Sequence, residues 1–390
     1  MIKSNRNFRM FVPTTIVFGP GELNRLHEQA LPGRKALIVI SNGKSAKANG
    51  YLARVENELN LAGVGYSIFD KVETNPLKPT VMAGGTDACR QQCDFIIALG
   101  GGSVIDAAKA IAVIATNDGD YWEYAQGNRK VQNKPLPIVA ITTTAGTGSE
   151  VDPFAVISNP ELNQKVGFGT PDLFPVLAIV DPELMLSVPP SFTAYQGFDA
   201  LLHSVECYIS RRANLMSDMY ALTAIENVAT ALPIAVNNGS DIDGRTRMAL
   251  ANTLSGVVMT LSSCTSEHSL EHAMSAFHQN LPHGAGLIMI SQAYFTHFIN
   301  QHVCDDRFIR MAQAMGIREA SDPMDFISAL AHLQDKCGVT NLKMSDYGIV
   351  PDEFKRLACN AYDTMGRLFD ADRCQLSLDD CINIYKESYR

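Results

Sequence analysis

Through the first half of the chain, short runs of β-branched and aliphatic residues alternate with stretches of helical period. KALIVIS (35–41), VGYSIFD (64–70), DFIIALG (94–100), PLPIVAITT (135–143) and VLAIVDP (176–182) are runs of strand length. The segments after the first three read as helices: one to about Leu61, one through Gln92, and SVIDAAKAIAVIAT. Strands and helices in this rhythm predict a parallel sheet covered on both sides. Beyond Val188-Pro189-Pro190 the pattern becomes amphipathic helix with hardly a strand, as in LMSDMYALTAIENVATAL, RTRMALANTLSGVVMTL and PMDFISALAHLQDKCG. The proline pair disfavours helix at Val188, so the chain divides into an α/β domain over 1–188 and an all-α domain over 189–390.

Composition narrows the functions open to such a chain. At 390 residues and 46% hydrophobic content it can bury a large core. A formal net charge of -9 argues against a nucleic-acid or anionic-membrane partner, either of which needs a cationic face. The most apolar stretch noted, GAGLIMISQAYF from Gly284 to Phe295, is shorter than the ~20 residues of a membrane-spanning helix. MIKSNRNFRMFVP at the start carries basic residues without the apolar core of a secretory signal. Nine cysteines without a C-x-x-C pair fit reduced thiols and a cytoplasmic location. Cys89 and Cys93 read as core or surface thiols rather than a ligand pair.

Two loops carry candidate chemistry. Gly100-Gly101-Gly102-Ser103 leaves a strand and opens a helix, placing backbone N–H groups and the positive helix end where a pyrophosphate would dock. Ser103 and Asp106 have capping-box spacing, so a well-capped helix start is the plainer reading, and the two are compatible. TTTAGTGSE at 142–150 leaves another strand, and in a parallel sheet both loops fall on the carboxyl edge where ligands bind. The usual G-x-G-x-x-G is missing after the first strand, where Ser41-Asn42-Gly43-Lys44-Ser45 stands instead. The expectation is a Rossmann-like dinucleotide-binding sheet that departs from the ordinary fingerprint.

The second half carries a histidine cluster. Four histidines fall between His268 and His283 in HSLEHAMSAFHQNLPHG, and upstream GFDALLHSVECY sets Asp199 and His203 four apart. His268 and His272 share a helical face by the same spacing, while His283 follows a proline and precedes a glycine at a helix boundary. One Asp and three imidazoles from two helices and a turn suit Fe(II) or Zn(II). The alternative is a set of unrelated core and surface histidines.

FGPGEL near residue 18, TNP at 74–76, GGGSVIDAAK at 100–109, TTAGTGSE at 143–150, GFDALLHSVECYIS at 197–210 and LPHGAG at 281–286 occur in this order. In these motifs the chain resembles the iron-containing, metal-dependent alcohol dehydrogenases over essentially its full length. The resemblance implies a dinucleotide domain, an all-helical domain and an active site in the cleft between them. It implies Fe(II), or Zn(II), on Asp199, His203, His268 and His283, with His272 near nicotinamide and substrate as a candidate proton relay. Implied cofactor contacts are Gly101, Gly102, Ser103, Asp106, Thr143, Thr144 and Thr147, with Asn75 and Lys165 on the ribose side. Two departures stand out. Thr142 replaces a common proline, which is expected to loosen the strand exit, and Ser41 or Asn42 replaces the Asp of NAD-preferring members. With Lys44 and Ser45 close by, NADP becomes open beside NAD.

The implied reaction is hydride transfer between a small primary alcohol or aldehyde and nicotinamide, with the metal as Lewis acid and the chain as a homo-oligomer, a dimer or larger. Alternatives are a zinc-dependent glycerol-dehydrogenase-like enzyme or a cyclase/lyase of the same fold, both expected to carry a two-His metal set, and a catalytically silent metal-binding subunit. Phe154, Phe168 and Phe277 are candidate pocket walls, with core packing as the alternative.

Overall fold

The computed structural model describes residues 5–390. In the unit from Val12 to Ser187 the strands are β1 (Thr15–Phe18), β2 (Lys35–Ser41), β3 (Gly65–Val72), β4 (Phe95–Gly100), β5 (Ile138–Thr142), β6 (Phe154–Asn159), β7 (Gln164–Gly169) and β8 (Leu177–Val180). Six of them form one sheet in the order β1-β8-β5-β4-β2-β3, with every pair parallel. The central strands β4, β5 and β8 and the middle of β2 are buried, as their unbroken apolar runs require. Helices α1 (Ser45–Ala48), α2 (Tyr51–Leu61), α3 (Lys78–Arg90), α4 (Gly102–Ile114) and α5 (Tyr121–Ala125) complete the unit. Val55 and Leu59 of α2 share one core with Ile38, Ile97 and Val139. α3 and α4 approach closely through glycine: a Cβ on Gly84 or Gly85 would lie 2.4 Å from Ile111 or Ile114 side-chain atoms.

Two features of this unit escape the hydrophobic pattern. β1 has only four residues and sits at the sheet edge, mostly exposed. β6 and β7 form a separate antiparallel hairpin whose turn holds Asn163 at φ +50.

The other unit runs from Val188 to Arg390 and includes the described residues before Val12, so the division falls one residue before the proline pair and the N-terminal tail crosses over. Asn5 accounts for the tail's placement, since its N–H donates to Ala213 O at 3.3 Å and its O accepts from Leu215 N at 3.2 Å. Pro190 opens α6 (Pro190–Ile209) in the first turn, where a missing N–H is no loss. There follow α7 (Leu215–Asn237), α8 (Ile242–Leu261), α9 (Ser266–Phe277), α10 (His283–Asn300), α11 (Asp305–Ala314), α12 (Asp325–Lys336), α13 (Phe354–Met365) and α14 (Leu378–Ser388).

α9 is buried from Ser266 through Ala276 without a break, so its polar side chains must find partners inside the protein. α7, by contrast with the sequence expectation, is long and apolar enough to cross a membrane, with a mean hydropathy of 1.4 over its best window. Asp218, Glu226 and Pro233 interrupt the run and hide it in the sequence. Its Ala221, Ala224, Ile225, Val228 and Leu232 are fully buried in the helical unit.

Candidate metal centre and phosphate loops

The phosphate loops are built on the parallel sheet. β2 lies between β3 and β4, so the chain reverses direction across the sheet at the carboxyl ends of β2 and β4, where ligands settle in such folds. Gly100 ends β4 and α4 begins at Gly102, placing GGGS at that edge beside Ser41. A Cβ on Gly101 would lie 2.8 Å from Thr144 side-chain atoms, and one on Gly102 would lie 2.3 Å from Thr147 Cγ2. The two loops therefore pack directly on each other, and the glycines are required for that contact as well as for any approach by a phosphate.

The capping-box spacing is not used. Gly101 is the N-cap of α4 and no side chain caps the helix. Asp106 instead accepts from Ser149 Oγ at 2.6 Å and from Val156 N at 3.0 Å, bracing the second loop and β6 against α4. Burial pushes its carboxyl up to about 6 against the pull of Lys109. Lys109, which the sequence reading passed over, is wholly buried and donates to Ser149 Oγ at 2.7 Å, Asp152 Oδ1 at 3.0 Å and Phe154 O at 2.7 Å. Thr142 does not loosen the strand exit: it pairs in register with Gly100 and Val180, and its Oγ1 donates to Thr144 O at 3.0 Å.

Asn75 and Lys165 come together as a buried pair, Lys165 Nζ donating to Asn75 Oδ1 at 3.2 Å. Asn75 holds φ +54, and its Nδ2 is buried without a hydrogen-bond partner, a donor available to a ligand oxygen. Ser41 is half-buried at the end of β2, and Lys44 beyond it is exposed. Phe168 packs edge-on to Tyr121 at 6.2 Å and lines a cavity with Tyr124 and Arg129, while Phe277 lies 4.2 Å from the Arg356 guanidinium.

The metal candidates lie wholly within the helical unit. On α6, Asp199, His203 and Glu206 recur at i, i+4 and i+7 on one buried face. α9 contributes His268, Glu271 and His272, and His283 begins α10 directly after Pro282. Around Asp199 Oδ1 stand His203 Nδ1 at 3.5 Å, His268 Nε2 at 3.6 Å and His283 Nε2 at 3.5 Å. Bonds of about 2.1 Å at tetrahedral angles hold ligand atoms about 3.4 Å apart, so each nitrogen stands from Asp199 Oδ1 at the separation expected of two ligands on one ion, and Asp199, His268 and His283 are also mutually within 4.8 Å. Asp199 Oδ1 and His268 Nε2 are buried without hydrogen-bond partners, a costly arrangement that a divalent cation would satisfy. Burial alone would raise the Asp199 carboxyl, but the imidazoles of His203, His283 and His268 outweigh it and hold it well below the usual carboxylate range.

Behind the ligands stand groups that sequence reasoning missed. Nδ1 of His268 pairs with Glu206, and Nδ1 of His283 pairs with Glu271, so each ring turns its other nitrogen toward Asp199. The i+7 spacing from Asp199 was the available signal for Glu206. Glu206 also accepts from Thr265 N at 2.6 Å and Oγ1 at 2.9 Å, tying the loop before α9 to α6. Cys264 in that loop lies within 4.8 Å of ring nitrogens of His203 and His268, and contact with Cys207 and burial push its thiol up. His272 is buried with its ring centroid 5.3 Å from that of His283, so all five sequence-predicted residues come together.

A model of the iron-containing alcohol dehydrogenases matches residues 13–182, and a model of that family's C-terminal domain matches residues 193–389. The 1,3-propanediol dehydrogenase of Klebsiella pneumoniae is 34% identical over 363 residues, covering 91% of this chain and 92% of its own. The NAD-dependent methanol dehydrogenase of Bacillus methanolicus is 30% identical over 369 residues, covering 90% and 93%. The solved structure of an archaeal, halo-thermophilic Red Sea brine pool alcohol dehydrogenase aligns with a TM-score of 0.94 at 31% identity, covering 99% of this chain and all of the other.

Proposed function

The chain belongs to the iron-containing alcohol dehydrogenase family in both of its domains, and from that premise we propose that it interconverts a short primary alcohol and its aldehyde at a divalent ion held by Asp199, His203, His268 and His283. The observation that carries this reading is the ring of three imidazole nitrogens at 3.5–3.6 Å around the buried Asp199 Oδ1. When bound, the metal supplies Lewis acidity toward the substrate oxygen, and the nicotinamide supplies or takes the hydride. Asp199 provides the one negative ligand, which favours retention of the ion without abolishing its acidity. The donor set suits Fe(II), with Zn(II) as an accepted substitute. His272, buried beside the ligand rings, is the proton relay, and His272→Ala should keep the metal while lowering turnover and changing its pH profile. Unchanged turnover and profile would reduce His272 to packing.

The loops hold the cofactor through Gly101, Gly102, Ser103, Thr143, Thr144 and Thr147, with Asn75 and Lys165 at the ribose. NADP serves beside NAD, because β2 ends in Ser41 without an acid to repel a 2′-phosphate and Lys44 is exposed next to it. Lys47 is a weaker candidate for that phosphate, being paired to Asp70 at 2.5 Å. Nine free cysteines support a reducing cytoplasm, and the exposed Ile16 and Phe18 on the edge strand β1 support a homo-oligomer. The test is cofactor absorbance with a panel of short aldehydes and diols, using NADH and NADPH, in wild type and Lys44→Ala. Steady oxidation is expected with both cofactors, and the variant should weaken NADPH alone. A strict NADH preference indifferent to Lys44 would remove the NADP reading, and no oxidation of either would remove the dehydrogenase reading.

A further inference from the structure

Glu271 is fully buried on α9 and sits three residues after His268, yet it serves the other helix: its Oε2 pairs with Nδ1 of His283, whose Nε2 faces Asp199 Oδ1 at 3.5 Å. How a carboxylate fits there is answered from α10. A Cβ built on Gly286 would lie 2.8 Å from Glu271 Cγ and 2.9 Å from its Oε1, closer than side-chain atoms approach. Gly286 follows His283 by three residues inside α10, and its φ is not in the left-handed region, so no backbone requirement selects glycine. Glycine weakens a helix interior, and a steric reason for its presence is needed. Its neighbour Gly284 has a different one, since a Cβ there would meet the Tyr195 carbonyl oxygen of α6 at 2.1 Å.

We propose that Glu271 is the positioning residue of His283, and that Gly286 keeps open the space Glu271 occupies. This deepens the metal-site reading above and rests on it. By accepting a hydrogen bond from Nδ1–H, the carboxylate fixes the tautomer that presents Nε2 to the ion, locks the ring's orientation and makes it a stronger donor. Glu206 does the same for His268 but also anchors Thr265, so its removal would mix two effects. Glu271 is the cleaner probe.

The experiment is competitive titration of the full-length apoprotein with Co(II) and with Zn(II) against a chelating indicator. Wild type, Glu271→Gln, Glu271→Ala, Gly286→Ala and the Glu271→Ala/Gly286→Ala double variant are compared, with apoprotein melting as the control for folding. Glu271→Gln should weaken binding about 10- to 100-fold and change the visible spectrum of the Co(II) form, while the apoprotein melts as wild type does. Gly286→Ala alone should weaken binding as well, and in the Glu271→Ala background it should add little, because the two contacts under 3.0 Å have gone and only Leu281 Cδ2 at 3.2 Å has to give. Wild-type affinity in Glu271→Gln, or an equal cost of Gly286→Ala with and without Glu271, overturns the proposal while leaving the metal site intact. A wild type that takes up neither ion overturns the site reading itself.

Discussion

Asp199 Oδ1 meets imidazole nitrogens from three positions, so deleting His268 or His283 opens the donor set and leaves a buried carboxylate less compensated. His268→Ala and His283→Ala should lose bound metal and nearly all turnover, read by elemental analysis and cofactor absorbance. NADH binding should persist, because the phosphate loops belong to the other unit. Full metal content in both variants would contradict the assignment. Gly102 behaves in the opposite way. A side chain there meets Thr147 before it meets any ligand, so Gly102→Val should displace the second loop and weaken NADH binding while metal content stays at the wild-type level. A fluorescence titration showing wild-type NADH affinity would count against the loop.

Among the elements, α4 and the TGSE loop are held together from inside by a charge. Lys109→Met would leave Asp152 buried without its cation, and loss of one partner of a buried pair costs about 3–5 kcal/mol. Urea unfolding should show that loss, and a midpoint equal to wild type would mean that Lys109 does not brace the loop. Lys109 was not legible in the sequence because a lysine one turn after Asp106 on a helix reads as a surface cation until the burial of α4 is known. The same holds for Glu271, which lies between two histidines and reads as an ordinary helix residue until α9 proves buried all round. Four of the five apolar strands were legible because central parallel strands carry no polar alternation, whereas β3, read as a strand from its β-branched and aromatic residues, lies at the other sheet edge with a mixed, largely unburied pattern. β1 and the β6–β7 hairpin were not, since they are short, exposed or mixed in character. The clustering of the candidate ligands was legible, as helical spacing places Asp199 with His203 and His268 with His272 on single faces.

For the whole molecule, the candidate nucleotide loops and the proposed metal ligands fall in separate compact units, so on the proposed reading loss of cofactor and loss of metal are expected to be separable lesions. Family membership covers both units. The most direct test strips the protein with a chelator, returns Fe(II) anaerobically in sub-stoichiometric steps, and follows NADH oxidation by a short aldehyde. The account predicts no oxidation by the stripped protein, recovery that rises with each addition and stops at a single equivalent, and no recovery in His283→Ala. Steady turnover by the stripped protein, or none from the Fe(II)-loaded protein across a panel of short aldehydes, would contradict it.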